Sequence, residues 1–579
     1  MDSLVSGKLS YVLLVGIVDA AILSWLALVW FRRAVRRLMR QRAGDVTATS
    51  PARSARGAAP MSSEKAPRDP TFAIFEPDGR RSAQGWLPAI PGRRRLLVVY
   101  GVAAGLHALA ITVFQLSKQA EVTWISALAR WWVNTWPLVP ALIALLVLDW
   151  RQSVRLGGVF VLSGAVVLAL LTLVSRGLRG TIDFVPVTNT YWLLLLRGYT
   201  AAAPLVLLLV TGWRRIRAVA PLVLSVTFLF GFAVVLFQTL MLHVFDVAAA
   251  RRVILDWSAR TSEGVIYYAL FMLLILPIGG LAWWLLRGLA AAFEWKRFSD
   301  VQLLVDCWWL IVSAEETAVL SSEMGLWAIP VGVAAFVAYR LTVTLGLRGR
   351  GPAPAAAGRR LLFLRVFGYR ARTEAMLDKV AQRWRFDGPV QLVAGIDVAA
   401  RTVDPGDFLA FVGGRLADRY VVGPESLRAR LATLDIAPDP DGRFRINEFY
   451  CHGDTWQPTV QALLDTTDRV LMDVRSLSER NQGCRYELEQ LVWRLPSDAL
   501  VLVVDQGTDA SRLGAILDDA WRVAHDANRA RGDGRFALVR VERAGRPEVR
   551  LIMDCLRGTR TPTRVLTGDQ LAAAGLSAR

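Results

Sequence analysis

Cysteine is scarce: Cys307, Cys451, Cys484 and Cys555 are the only four in 579 residues, at irregular spacing. That excludes a disulfide framework and suits a reducing compartment. Phosphate-binding signatures are missing too, with no Walker loop and no Gly-x-Gly-x-x-Gly; Gly413-Gly414 sits inside a helical pattern. There is no internal repeat and no matched pair of short, Gly/Pro-broken apolar helices of the kind many carriers show. Acidic residues are outnumbered, 49 against 68 Lys and Arg, giving a net charge of +19 and a pI near 10.5. In a soluble protein that balance would suggest nucleic acid. Here the arginines gather at the ends of apolar runs, so the charge reads as membrane topology and no nucleic-acid partner is expected.

What is abundant is apolar: 54% hydrophobic residues and a mean hydropathy of +0.37, an excess that needs lipid as solvent. Leu9 to Phe31 is long enough to span and is followed at once by Arg32, Arg33, Arg36, Arg37, Arg40 and Arg42. Lys8 is the only basic residue ahead of it, so a retained anchor with its N-terminus outside is expected rather than a cleaved leader. Residues 43–70 are Ala, Pro, Ser, Thr and Arg without hydrophobic period, a disordered cytoplasmic loop. Further apolar runs lie near Leu96–Leu116, Val133–Leu148, Leu156–Val174, Tyr191–Val210, Val219–Leu242, Val265–Leu286 and Leu326–Leu347, with basic clusters at every second connection. Connections around Trp124–Trp132, Arg176–Val187 and Asp246–Glu263 then fall outside.

Val301–Val319 carries Asp306, Glu315 and Glu316, and hydropathy alone would reject it. If the helices ending at Arg287 and Arg348 both finish inside, however, a segment between them must cross outward, and this is the candidate. The expectation is about nine helices in residues 1–348, in the plasma or inner membrane; an interfacial helix at 301–319, with eight spans, is the alternative. Ionisable groups at membrane depth are Arg197, His107, Asp306 and Arg340. Counted along their helices, Asp306 and Arg340 lie at matching depth, ~8 and ~10 Å from one surface, so they are expected to pair in a structural role.

Residues 349–358, rich in Gly, Pro and Ala, read as a linker to a soluble cytoplasmic domain, 359–579. There, apolar runs at Leu361–Val366, Val390–Val393, Arg443–Phe449, Arg469–Val474, Ala499–Val504 and Phe536–Val541 alternate with helical stretches at Thr373–Trp384, Pro405–Asp418, Thr455–Thr466, Cys484–Arg494 and Ser511–Ala530. That alternation predicts an α/β, doubly wound, flavodoxin-like sheet, whose ligands bind beyond the carboxyl ends of the strands. Cys451, His452 and Asp454 cluster at a strand end, but adjacent Cys and His point opposite ways on a strand, so no metal site is assigned.

In Arg469-Val-Leu-Met-Asp-Val-Arg475, followed by Ser476 and then Cys484-Arg485-Tyr486-Glu487-Leu488-Glu489, a buried strand leads through a polar loop into a helix start. This resembles the Toll/interleukin-1 receptor (TIR) domain, with its serine-containing loop and Cys-x-x-Glu-Leu helix start; the opening strand and loop Leu361 to Arg370 fits as well. The ~50 residues from Val390 to Asp441 have no counterpart of that size in the family, and its proline/glycine loop is missing. The resemblance implies Glu487 as a catalytic carboxylate for cleavage of NAD, a substrate rather than a bound cofactor. It also implies ligand contacts at Phe367, Gly368, Tyr369, Ser476 and Cys484, and self-association through the domain. The plain alternative is that Glu487 and Glu489 are first-turn acids favoured by the helix dipole. Three classes stay open: a membrane signalling protein with a nucleotide-binding or NAD-cleaving domain, a non-catalytic sensor or interaction module, and a transporter with a regulatory domain.

Overall fold

The computed structural model describes residues 22–38, 69–77, 92–117, 122–147, 152–160, 162–163, 166, 219, 221–223, 225–227, 229–230, 247–324, 328–348, 358–365, 370–394, 405–475, 477, 482–527, 531–543 and 545–574. They fall into a helical unit and an α/β unit.

Among the described residues of the helical unit three helices are long and apolar enough to cross a membrane: α1 (Arg93–Leu116), α5 (Glu263–Glu294, apolar from Gly264) and α7 (Ala328–Leu347). The runs at 167–210 and 231–242 lie outside the described residues. The run expected at Val133–Leu148 is broken by a turn at Thr135–Pro137, between α2 (Trp124–Asn134) and α3 (Leu138–Leu146). The expected connection Trp124–Trp132 is thus helical, held to α1 by Trp131 Nε1 donating to Gly105 O at 3.0 Å and by Asn134 Nδ2 donating to Thr112 Oγ1 at 2.9 Å. Likewise, Asp246–Glu263 contains a helix, α4 (Ala248–Arg260).

Helix α6 (Asp300–Met324) carries the segment that hydropathy would reject. It is buried on several sides: Val305, Trp308, Trp309, Ile311 and Val312 are all core residues. Its polar groups reach different neighbours, Cys307 to Ser225 at 3.1 Å, Trp308 Nε1 to Pro137 O at 2.9 Å and Ser313 to His107 at 2.8 Å. A Cβ added at Gly332 of α7 would land 1.6 Å from Thr317 Oγ1 of α6, so only glycine allows that approach. At the other end of α7, Arg95 of α1 donates to Gly346 O at 2.8 Å and Arg348 O at 3.2 Å, satisfying carbonyls a helix terminus leaves open.

The α/β unit is built on one nine-stranded sheet in the order β4-β5-β3-β2-β6-β7-β8-β1-β9. Its strands are β1 (Thr71–Phe75), β2 (Leu361–Arg365), β3 (Val390–Ala394), β4 (Tyr420–Val421), β5 (Ile446–Cys451), β6 (Arg469–Asp473), β7 (Leu500–Val504), β8 (Arg535–Arg540) and β9 (Arg564–Thr567). All pairings are parallel except β1 with β9. Strands such as Leu500-Val-Leu-Val-Val504 are wholly buried because helices cover both faces. Leu500, Leu502 and Val504 join the core under α10 (Pro424–Ala432), α11 (Trp456–Leu464), α12 (Gln482–Arg494) and α13 (Ala510–Asp526). Val501 and Val503 join the core under α8 (Arg370–Trp384) and α14 (Arg546–Arg557).

Two features depart from the sequence reading. The flavodoxin-type order 2-1-3-4-5 is not adopted: β2, β3, β5, β6, β7 and β8 stand as 3-2-1-4-5-6, because the long segment after β3 returns as β5 on β3's outer edge. Nor does the α/β unit begin at residue 359. Thr71–Phe75, just beyond the expected loop 43–70, inserts between β8 and β9, with Phe72, Ala73, Ile74 and Phe75 all buried. Glu76 then pairs with Arg564 at 2.9 Å and Arg540 at 3.5 Å. Conversely, α9 (Pro405–Val412) groups with the helical unit, where it packs on α5. It stops at Gly414, whose φ of +72° ends the expected helix early. Apart from Pro70, Asp69 and Gly358, the expected loop and linker lie outside the described residues.

Candidate functional site

The chain winds outward from β2 through β3 to β5, then returns to β6 on the opposite side of β2. Strand order therefore reverses between β2 and β6, and their carboxyl ends are where an open α/β sheet offers a ligand crevice. Both stretches singled out in the sequence lead away from this point. Of them, Phe367, Gly368, Tyr369 and Ser476 lie outside the described residues. Cys484 and Glu487 are described, in α12, the helix that follows β6.

Buried positions on α12 recur at Cys484, Glu487, Leu488, Leu491 and Val492, one helical stripe facing the sheet. Glu487 is 3% exposed, a carboxylate within a stripe otherwise made of apolar and thiol groups. Glu489 is placed differently: it turns outward and accepts from Arg485 at 2.9 Å. The expected first-turn placement does not hold: α12 starts at Gln482, so both acids lie beyond its first turn, and attraction to the helix dipole, which fades within that turn, accounts for neither. Beside them, Trp456 at the start of α11 meets Tyr486 edge-on at 5.5 Å, and Gln461 Nε2 donates to the Tyr486 hydroxyl at 2.6 Å. A Cβ at Gly483 would stand 3.8 Å from the Trp456 ring.

On the opposite face of β6 a second charged group closes on itself. Asp473 and Arg475, two residues apart and hence on one side of the chain, form a buried bidentate pair with both N–O distances 2.8 Å. Burial works against the Arg475 charge, but Asp473, with Asp505 and Glu542 nearby, holds its pKa above the ordinary arginine value. Asp505 at the end of β7 accepts from Gly507 N at 3.1 Å and Thr508 Oγ1 at 3.0 Å, and Glu542 accepts from Gln506 N at 3.1 Å. The ends of β6, β7 and β8 are thus tied by charge. The spacing Asp473-x-Arg475 at a strand end was the signal available for this pair.

Cys451, His452 and Asp454 do not converge. Cys451 is buried against Thr459 at 3.4 Å, and burial pushes its thiol up to about 11, the wrong direction for a nucleophile. His452 instead lies against the Tyr420 ring at 5.6 Å, and Asp454 is exposed. Among the described residues no three His, Cys, Asp or Glu side chains are grouped to hold a metal ion.

In the helical unit the structure brings Asp306 and Arg340 together: Arg340 NH1 is 2.9 Å from Asp306 Oδ2, and the Tyr339 hydroxyl donates to Asp306 Oδ1 at 3.1 Å. The Tyr339 ring stacks on Trp309 at 4.9 Å, and Trp309 meets His107 at 5.0 Å. These groups form a connected polar and aromatic seam between α1, α6 and α7; Arg197 lies outside the described residues. Set against known proteins, the chain matches no family model, no curated protein and no solved structure.

Proposed function

We propose that the chain is a multi-pass membrane protein whose cytoplasmic α/β unit binds a nucleotide at the reversal of strand order, with NAD as substrate and cleavage of its nicotinamide–ribose bond as the reaction. The observation that carries this reading is the inward, buried carboxylate of Glu487 on the helix that follows central strand β6. As the glycosidic bond breaks, its electron pair leaves with nicotinamide and the ribose becomes oxocarbenium-like; a carboxylate in a low-dielectric site stabilises that charge until water adds. The TIR-like order of strand, serine loop and Cys484-x-x-Glu487 supports the substrate class and the ligand contacts assigned to Phe367, Gly368, Tyr369, Ser476 and Cys484. In lipid nanodiscs the full chain should consume NAD, Glu487→Gln should abolish that turnover, and Glu489→Gln should retain it. Turnover retained by Glu487→Gln removes Glu487 from the mechanism. A wild-type chain inert towards NAD even when densely reconstituted favours the non-catalytic interaction module.

The proposed topology has nine crossings, N-terminus outside. Its support is partly chemical: Arg287 lies over Trp283 in the C-terminal half of α5 and Arg297 over Trp295 just past its end, aromatic and basic residues of the kind found toward a cytoplasmic interface. It is also partly topological. Thr71–Phe75 shares a sheet with residues 361–567, so both stand on one side of the bilayer, and the crossings between them are even in number. Counting α2 and α3, broken at Thr135–Pro137, together as one crossing, eight crossings satisfy that rule if α6 spans, and an interfacial α6 would leave seven. Asp306, the acid a transport path would draw on, is engaged by Arg340 and Tyr339, which favours a structural seam over a carrier.

A further inference from the structure

Among the described residues, helix α4 packs mainly on α5. Val253, Ile254 and Trp257 share one helical face, while Arg251, Arg252 and Asp256 fall on the other with Leu255 among them. Yet Val253 and Trp257 are each 55% exposed. At 13 residues the helix is near the length at which isolated helices are marginal in water, so its apolar face needs a cover.

The neighbouring residues indicate what that cover is. Only Thr261 and Ser262 separate α4 from α5, with Ser262 Oγ accepting from Val265 N at 3.3 Å. Helix α5 exposes Tyr268, Leu273 and Leu276 along its length, as a lipid-facing span does. Arg251, Arg252 and Arg260 outnumber Asp256, which pairs with Arg260 at 2.9 Å, leaving a net positive helix whose guanidinium groups can meet the phosphates that phospholipid headgroups carry. Trp257 is the side chain that favours such a boundary.

We propose that α4 is an interfacial helix, lying in the outer headgroup layer with Val253, Ile254 and Trp257 on the lipid. The inference rests on α5 crossing the bilayer, so the test carries a probe for each. In the full chain with Cys555→Ser, the other three cysteines being buried, single cysteines at Val253, Ile254, Arg252 and Leu273 are labelled with nitrobenzoxadiazole. The variants are then reconstituted into phosphatidylcholine vesicles containing phosphatidylglycerol. Labels at 253 and 254 should be quenched by lipids spin-labelled near the headgroup and should resist iodide several-fold better than the label at 252; Leu273→Cys should be quenched by lipids spin-labelled near the chain end. Labels at 253 and 254 open to iodide overturn the proposal. So do labels shielded from iodide but untouched by spin-labelled lipid, which identify a protein or a second copy as the cover. If Leu273→Cys escapes deep quenching, it is the span that fails.

Discussion

Removing the contribution of β1 should unfold the α/β unit although β1 lies nearly 300 residues before β2. Phe72 is wholly buried, its ring tilted against Phe536 at 6.2 Å and joined to the core that carries Leu538, Trp521 and Leu571. Truncating such a phenylalanine costs about 3–5 kcal/mol, against a total stability of about 5–15 kcal/mol for a domain. Phe72→Ala should therefore lower the melting temperature of the unit by about 6–20 °C, at the ~2–4 °C per kcal/mol typical of domains this size. Trimming Val565, 46% exposed on β9, should shift it hardly at all. The decisive form of the experiment uses fragment 359–579. Lacking β1, it leaves the β8 edge open and β9 without its partner, and it should melt without cooperativity until a peptide of residues 69–77 is added. A fragment that unfolds cooperatively alone, with the same midpoint whether or not peptide is present, would refute the reasoning. The same consideration warns against assaying NAD turnover on that fragment.

Other outcomes follow from individual contacts. Asp306→Asn or Arg340→Gln should each lower the yield of monodisperse protein, since each leaves the remaining charge without its counter-ion, while the swap Asp306→Arg with Arg340→Asp should recover part of it; size-exclusion profiles of fluorescent fusions read this out. Burial pushes the Asp439 carboxyl up to about 6, against the lowering effect of Arg445. Its stabilising contribution is therefore fully present below about 3.8 and lost as pH rises through 6, and the difference in unfolding free energy between wild type and Asp439→Asn should fall by up to about 3 kcal/mol over that range. Reporter fusions after residue 355 should behave as cytoplasmic and fusions near 185 as external; a C-terminal fusion reporting outside would overturn the nine-span topology.

The elements legible in the sequence were those whose periodicity had a single physical cause. Leu500–Val504 reads as a buried strand because both faces are covered, and α1, α5 and α7 read from length and composition as helices long and apolar enough to cross a membrane. Depth arithmetic on Asp306 and Arg340 needed only the rise of a helix and the parity of basic loops. Where tertiary context supplies the partner, the signal fades. Two-residue β4 and four-residue β9 are too short for a pattern, and Thr71-Phe-Ala-Ile-Phe75 is a short apolar run whose meaning lies in strands hundreds of residues away. Pro405–Val412 had a helical pattern, but nothing in it told which unit would receive its apolar face. At the candidate site, the helix start and its acids were visible, yet which acid turns inward depends on the phase of α12 against the sheet.

The placement of β1 between β8 and β9 also has a consequence for biosynthesis. Its parallel partner is made roughly 460 residues later, a delay of about half a minute or more at ribosomal speeds of ~5–20 residues per second. Throughout that time an apolar, strand-forming pentapeptide waits on the nascent chain with no edge to join. The acidic and basic residues that follow it, Glu76, Asp78, Arg80 and Arg81, are the kind of flanking charges that keep such segments from pairing with the wrong chain.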